Sequence, residues 1–147
     1  MKKECTLRAR FSAILIIACV FSNIVISAFA SEVMPLFNNV ATVSNPVRIS
    51  DSGKLTVTNQ YYGFEGITTK AVITTYVEKK TLGLFWTRVD NGQTDNKWID
   101  TIYSYEYSGS HSLQLESMGT YRVVTTFVIY GTGGTADEIE KITEKIY

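Results

Sequence analysis

The sequence predicts an all-β protein: one antiparallel, two-sheet sandwich of about seven strands over residues 40–147, behind an N-terminal export signal. Three observations lead there. Runs rich in Thr, Val, Ile and Tyr are punctuated by glycines, all ten of which lie after residue 50, and short β-favouring runs between turn residues build sandwiches and barrels. Several runs alternate apolar and polar residues with the period of two that a half-buried strand requires. A chain of 147 residues that is 45% hydrophobic and 12% aromatic also has room for one domain with a self-sufficient core.

The leader comes first. Lys2, Lys3, Arg8 and Arg10 precede an apolar run from Phe11 to Ala30, which closes on Ala28-Phe29-Ala30 with small residues where a signal peptidase inspects the chain. Basic start, apolar middle and small-residue end, in that order, make residues 1–30 a signal peptide cut between Ala30 and Ser31, and make the protein secreted. Ile16-Ile17-Ala18-Cys19 also fits a lipobox that would acylate Cys19, although the stretch to Ala30 stays apolar where a polar tether is usual. An uncleaved anchor would use the same run, against Ser12, Ser22, Asn23 and Ser27. Both alternatives keep the domain outside the cytoplasm. Cleavage takes away four basic residues and one acidic, so the remainder carries 10 basic and 13 acidic residues, net −3. It also takes Cys5 and Cys19, so no disulfide is expected. No membrane contact is expected after cleavage, and no nucleic acid partner, because the balance of charge leaves no basic surface to displace phosphate counterions.

Residues 31–39 read as a tether or loose leader segment. Val40–Ser44 and Val47–Ile49 are short strands interrupted at Pro46, which suits an edge. After the turn Asp51-Ser52-Gly53, Lys54–Tyr61 alternates with Leu55, Val57 and Asn59 on one face. Thr68–Lys79 is the longest run, with Ala71, Ile73, Thr75 and Val77 as its core face. Leu84–Val89 and Trp98–Tyr107 flank Asn91-Gly92, a strong hairpin signal. His111–Leu115 is a short strand with His111, Leu113 and Leu115 facing one way. Thr120–Tyr130 is apolar on both faces, as a central strand is. In the tail, Ile139, Ile142 and Ile146 have helical spacing, whereas Gly131-Thr132-Gly133-Gly134 would turn the chain back as a final strand. The strand is favoured, because a helix of about ten residues is marginal alone.

The stretch His111 to Val123 (HSLQLESMGTYRV) resembles the passage between strands E and F of an immunoglobulin-like sandwich, where an alternating strand turns a corner into Gly-x-Tyr-x-apolar. The resemblance implies that Tyr121 is a structural corner residue whose hydroxyl bonds the backbone. Val123 stands where that family carries a core cysteine, which sets this chain apart from the disulfide-bearing members. Residues 38–147 also resemble an uncharacterised family of small secreted proteins from Gram-positive bacteria, through Asn38-Asn39, Val77-Glu78-Lys79-Lys80 before Trp86, Gly119 to Val123 and a Glu-rich last strand. This implies a secreted β-sandwich and brings no activity with it.

Catalytic chemistry has little to work with. His111 is the single histidine and reads as a packing or rim residue; Ser110 and Ser112 merely adjoin it, and no Gly-x-Ser-x-Gly occurs. Asp90, Asp95 and Asp100 lack the alternate-position spacing of a calcium loop and read as a solvated tip. Gly131 to Gly134 lacks the Gly-Lys-Ser/Thr of a phosphate loop. Glu65, Glu78, Glu106 and Glu116 carry no signal as a glycosidase pair. No catalytic residue, cofactor or metal ligand is therefore expected. What remains is aromatic: Tyr103, Tyr105 and Tyr107 at period two on one strand face, with Trp86, Trp98 and Tyr61-Tyr62 elsewhere. Such rings either pack across strands or form a platform for a sugar or protein. The expected function is a secreted, non-enzymatic extracellular or cell-surface interaction module with a protein or glycan partner. The alternative is a small secreted effector such as a bacteriocin-like toxin or enzyme inhibitor.

Overall fold

The structure is a computed structural model that describes residues 37–147. The leader, its cleavage point, Cys19 and residues 31–36 lie outside the described residues. The chain forms β1 (Val40–Ser44), β2 (Val47–Ile49), β3 (Lys54–Gly63), β4 (Thr68–Thr81), β5 (Phe85–Arg88), β6 (Trp98–Ile102), β7 (Glu106–Gln114), β8 (Thr120–Gly131) and β9 (Asp137–Ile146).

Two antiparallel sheets result. In the first, β1 and β2 lie end to end along one edge of β3, and β7 lies along the other. In the second, β5 and β6 lie end to end along one edge of β4, β8 takes the other, and β9 pairs outside β8. Each end-to-end pair is one interrupted edge strand, so seven ribbons make the immunoglobulin-like β-sandwich that the sequence predicts. Pro46, which has no N–H for a ladder, sits at the first interruption, and its carbonyl accepts from Thr58 N at 3.0 Å. The tail is a strand, paired with β8 from Ile129↔Asp137 to Thr120↔Ile146.

Three expectations change. The hairpin at Asn91-Gly92 does not form, because β5 and β6 pair with β4 and not with each other. The fourteen residues of β4 offer an edge long enough for both. Asn91-Gly92 instead lies in a connection held by its own side chains, with Gly92 N donating to Asp90 Oδ1 (2.9 Å) and Gln93 N to Asn91 Oδ1 (3.0 Å). The tight hairpin falls at Thr81–Leu84, where Leu84 N donates to Thr81 O and the central residues Leu82 and Gly83 both have positive φ, the type I′ pattern.

Second, the strands expected at 98–107 and 111–115 are 98–102 and 106–114. Gly109, taken for part of a turn, lies inside β7. The Tyr107 ring lies across it, and a Cβ at 109 would overlap that ring. Third, Asn38 and Asn39, expected within a loose segment, are tied to the fold. Asn38, Asn39 and Val40 donate their N–H groups to the Asp137 carboxylate at 2.7–3.0 Å. The Asn39 side chain, fully buried, donates to Thr135 O and accepts from Gly133 N.

The core has two apolar clusters. One holds Val40, Tyr61, Ala71, Ile73, Phe127, Ile129 and Ile139; the other holds Val47, Leu55, Val57, Val77, Leu115, Tyr121 and Val123. Between them runs a polar layer. Asn59 Nδ2 donates to Thr75 Oγ1 (2.9 Å), Asn45 Nδ2 reaches both Asn59 Oδ1 (2.9 Å) and Thr125 Oγ1 (2.7 Å), and the two threonine hydroxyls are 3.0 Å apart. These bonds offset the cost of burying the polar groups that make them. At the β7–β8 corner, the buried Tyr121 donates its hydroxyl to Ser117 O at 2.6 Å.

Candidate functional site

Tyr103, Tyr105 and Tyr107 do not share a strand face. β6 ends at Ile102, opposite Ala71 of the second sheet, and the chain crosses through 103–105 to enter β7 in the first sheet. Tyr103 is left 76% exposed on that crossing, with Lys70 Nζ 5.9 Å from its ring. Tyr105 is carried to the edge of β3, where its carbonyl accepts from Gly63 N at 2.6 Å. Tyr107 turns inward and stacks on Tyr61, ring centroids 6.2 Å apart.

The two tryptophans part as well. Trp86 stands on the outer face of the second sheet between Lys80 and Arg122, whose cationic groups lie 5.3 and 4.4 Å from its ring. Trp98 faces inward from β6 and lies parallel to the His111 ring at 5.0 Å. His111 Nε2 is 2.7 Å from Asp100 Oδ2. A carboxylate only accepts, so this nitrogen carries the proton. Trp98, Asp100 and His111 thus latch the β6 edge of one sheet to the β7 edge of the other. Burial first, and the neighbouring Asp100 carboxylate second, push the Tyr107 hydroxyl above its usual pKa.

Ser110 and Ser112, one residue either side of His111, point to the opposite face, as the period of a strand dictates. Their hydroxyls bond Thr58 Oγ1 (2.8 Å) and Thr56 Oγ1 (3.2 Å). The three aspartates also disperse: Asp90 caps Gly92, Asp95 pairs with Lys97 at 3.2 Å, and Asp100 holds His111.

A cleft does form where β3 and β7 run together. It occupies about 420 Å³ and is lined by Gln60, Tyr62, Glu106, Tyr107 and Ser108. The register builds it, because Tyr62↔Glu106 and Gln60↔Ser108 are direct cross-strand partners whose side chains share the outer face. Gln60 is held by two bonds, donating to Ser108 Oγ at 3.1 Å and accepting from Ser44 Oγ at 3.0 Å. Tyr62 is 56% exposed. Tyr105 flanks it: Glu106, then Glu65, push its hydroxyl above the usual pKa, with burial and Tyr62 adding smaller contributions. One exposed ring therefore borders an amide, a hydroxyl and a carboxylate, with the Tyr105 hydroxyl near Tyr62 and Glu106. Of the predicted platform, Tyr107 lines this cleft, while Tyr103, Tyr105, Trp86 and Trp98 do not. Gln60, Glu106 and Ser108 are additions, and Tyr62 comes from the wider set of aromatics. Tyr62 and Gln60 alternate against Leu55, Val57, Asn59 and Tyr61, which marks them as outward-facing, but their partners follow only from the β3–β7 pairing. Comparison with protein-family models and with curated proteins finds no match.

Proposed function

We propose that the chain is an exported, non-enzymatic interaction module that takes a hydroxyl-rich ligand of the glycan class in the β3–β7 cleft. The observation that carries this reading is the exposed Tyr62 ring beside Gln60, Glu106 and Ser108 in one open cleft, with the Tyr105 hydroxyl close enough to feel Tyr62 and Glu106. A sugar ring stacks its C–H face on a flat aromatic, and its hydroxyls need donors and acceptors together. Gln60 and Ser108 offer both, and the carboxylate of Glu106 accepts. Export rests on the signal-peptide pattern of residues 1–30. Binding is favoured over turnover because the hydroxyls of Ser110 and Ser112, the serines that adjoin His111, are committed on the far face of the sheet from its ring.

The test is a glycan-array screen of residues 31–147, followed by titration of the strongest binder. Tyr62→Ala with Tyr105→Ala is expected to weaken binding roughly tenfold or more, the scale of losing two stacking rings, and Tyr103→Ala to leave it unchanged. Equal binding by the double variant and the parent would remove the site. Hydrolysis of a bound glycan, lost in His111→Ala, would replace the reading with an enzymatic one.

A further inference from the structure

We infer that the β4–β5 hairpin docks this domain onto an anionic lipid surface, with its tip entering the headgroup region. Leu82, Leu84 and Phe85 at the tip, with Met118 and Ile146, are all between 64% and 84% exposed. They share one end of the sandwich. Lys79 Nζ bonds Ser117 Oγ at 2.6 Å, which brings Met118 beside the hairpin, and Ile146 pairs with Thr120 at the start of β8. Single exposed apolar residues are ordinary, but five large ones gathered at one end form a patch that marks a docking site.

Charge selects the occupant. Residues 79–89 contain Lys79, Lys80 and Arg88 and no carboxylate, a local +3 in a chain that is −3 once its first thirty residues are removed. The preceding Glu78 is engaged by Arg122 Nε at 2.6 Å. Carboxylates border the stretch and do not interrupt it: Asp90 follows it, Asp95 offers its carbonyl to Arg88 at 3.4 Å, Glu144 lies opposite Arg122 on β9, and Asp51 and Glu116 lie on neighbouring connections. From the tip inward come the aliphatic residues and Phe85, then Trp86 level with its cross-strand partner Lys80, then Lys79 and Arg88. A bilayer interface presents the matching sequence of layers: acyl chains, the headgroup zone that tryptophan prefers, and phosphates. A second copy of the chain is a poor occupant, because a symmetric contact would set the same local +3 hairpin against itself. Docking of this kind is reversible. It replaces the expectation that the chain has no membrane contact after its leader is removed.

The experiment uses residues 31–147, which contain both sheets and both core clusters, sedimented with vesicles of phosphatidylcholine alone or mixed with phosphatidylglycerol. Partition onto the mixed vesicles, falling as salt rises, is the expected result. Leu82→Ser with Leu84→Ser and Phe85→Ser should weaken it roughly tenfold or more. Lys79→Gln with Lys80→Gln should weaken it by roughly fivefold per cation. Circular dichroism establishes that each variant is folded, and Tyr62→Ala should bind lipid as the parent does, which separates this site from the glycan cleft. The inference is overturned if the parent ignores the mixed vesicles, or if the tip variant binds as the parent does. It is equally overturned if only intact cells are bound and protease treatment of those cells abolishes binding, which would identify a protein partner.

Discussion

At Tyr61 a whole ring is closed between the sheets while its hydroxyl donates to Ser104 O at 2.7 Å. Burial first, and Tyr107 second, push its pKa from 10.0 to about 12. Near pH 10 the unfolded chain begins to release this proton while the folded chain still holds it. The stabilisation is therefore complete below pH 10 and lost as the pH rises from 10 towards 12. Denaturant midpoints measured across that window should fall, and Tyr61→Phe should make the fall shallower. The drop should not vanish, because Tyr107 and Tyr105 are raised too. Sequence alternation placed Tyr61 near the core strand face but could not show where its hydroxyl would go. Ser104 lies 43 residues away in a crossing whose position depends on the sheet pairing. Gly109 makes the same point: Ser-Gly-Ser suggests a turn locally, and only the ring of Tyr107 explains the missing side chain.

Among the elements, β3, β4 and β8 were legible because each alternates over many residues and only one phase buries an apolar face. Ala71, Ile73, Thr75 and Val77, the expected inner row of β4, are all buried. The run from 98 to 115 was not legible. Tyr103-Ser104-Tyr105 has the composition of a strand, yet it is spent on the passage between sheets. Asn91-Gly92 carries hairpin propensity, but the exposed edge of β4 outbids it by pairing β5 and β6 separately. A consequence can be measured. Inserting four Gly/Ser residues between Asn91 and Gly92 should cost less than about 1 kcal/mol, since the connection only bridges two independently paired strands. The same insertion between Leu82 and Gly83 should cost more, because the positive-φ turn there fixes the register of β5. Chemical denaturation of the two variants compares them directly.

The molecule as a whole has two unlike ends. One carries residues 37–39, the 63–68, 102–106 and 131–137 connections, and most of the exposed tyrosines; the other carries the hairpin tip, Met118 and the carboxyl-terminal Tyr147. The tyrosine-bearing end is also where the fold is tied shut, since Asp137 accepts all three N–H groups of Asn38, Asn39 and Val40. Asp137→Ala should lower stability by about 3 kcal/mol, the scale of leaving buried donors without an acceptor. Hydrogen exchange should show those three amides losing protection first. The sandwich architecture was readable from strand count and corner motif, whereas this knot was not, because its partners are 97 to 99 positions apart.

That separation has a consequence in time. A chain delivered from its amino terminus, whether by a ribosome or by an export channel, presents Asn38 to Val40 long before Asp137. β1 then waits for its acceptor, and β8 for its outer neighbour, until Asp137 and the strand that follows it have emerged. Folding by long-range pairing of this kind is slow. The contacts that close this end of the sandwich are thus out of reach until β9 is delivered.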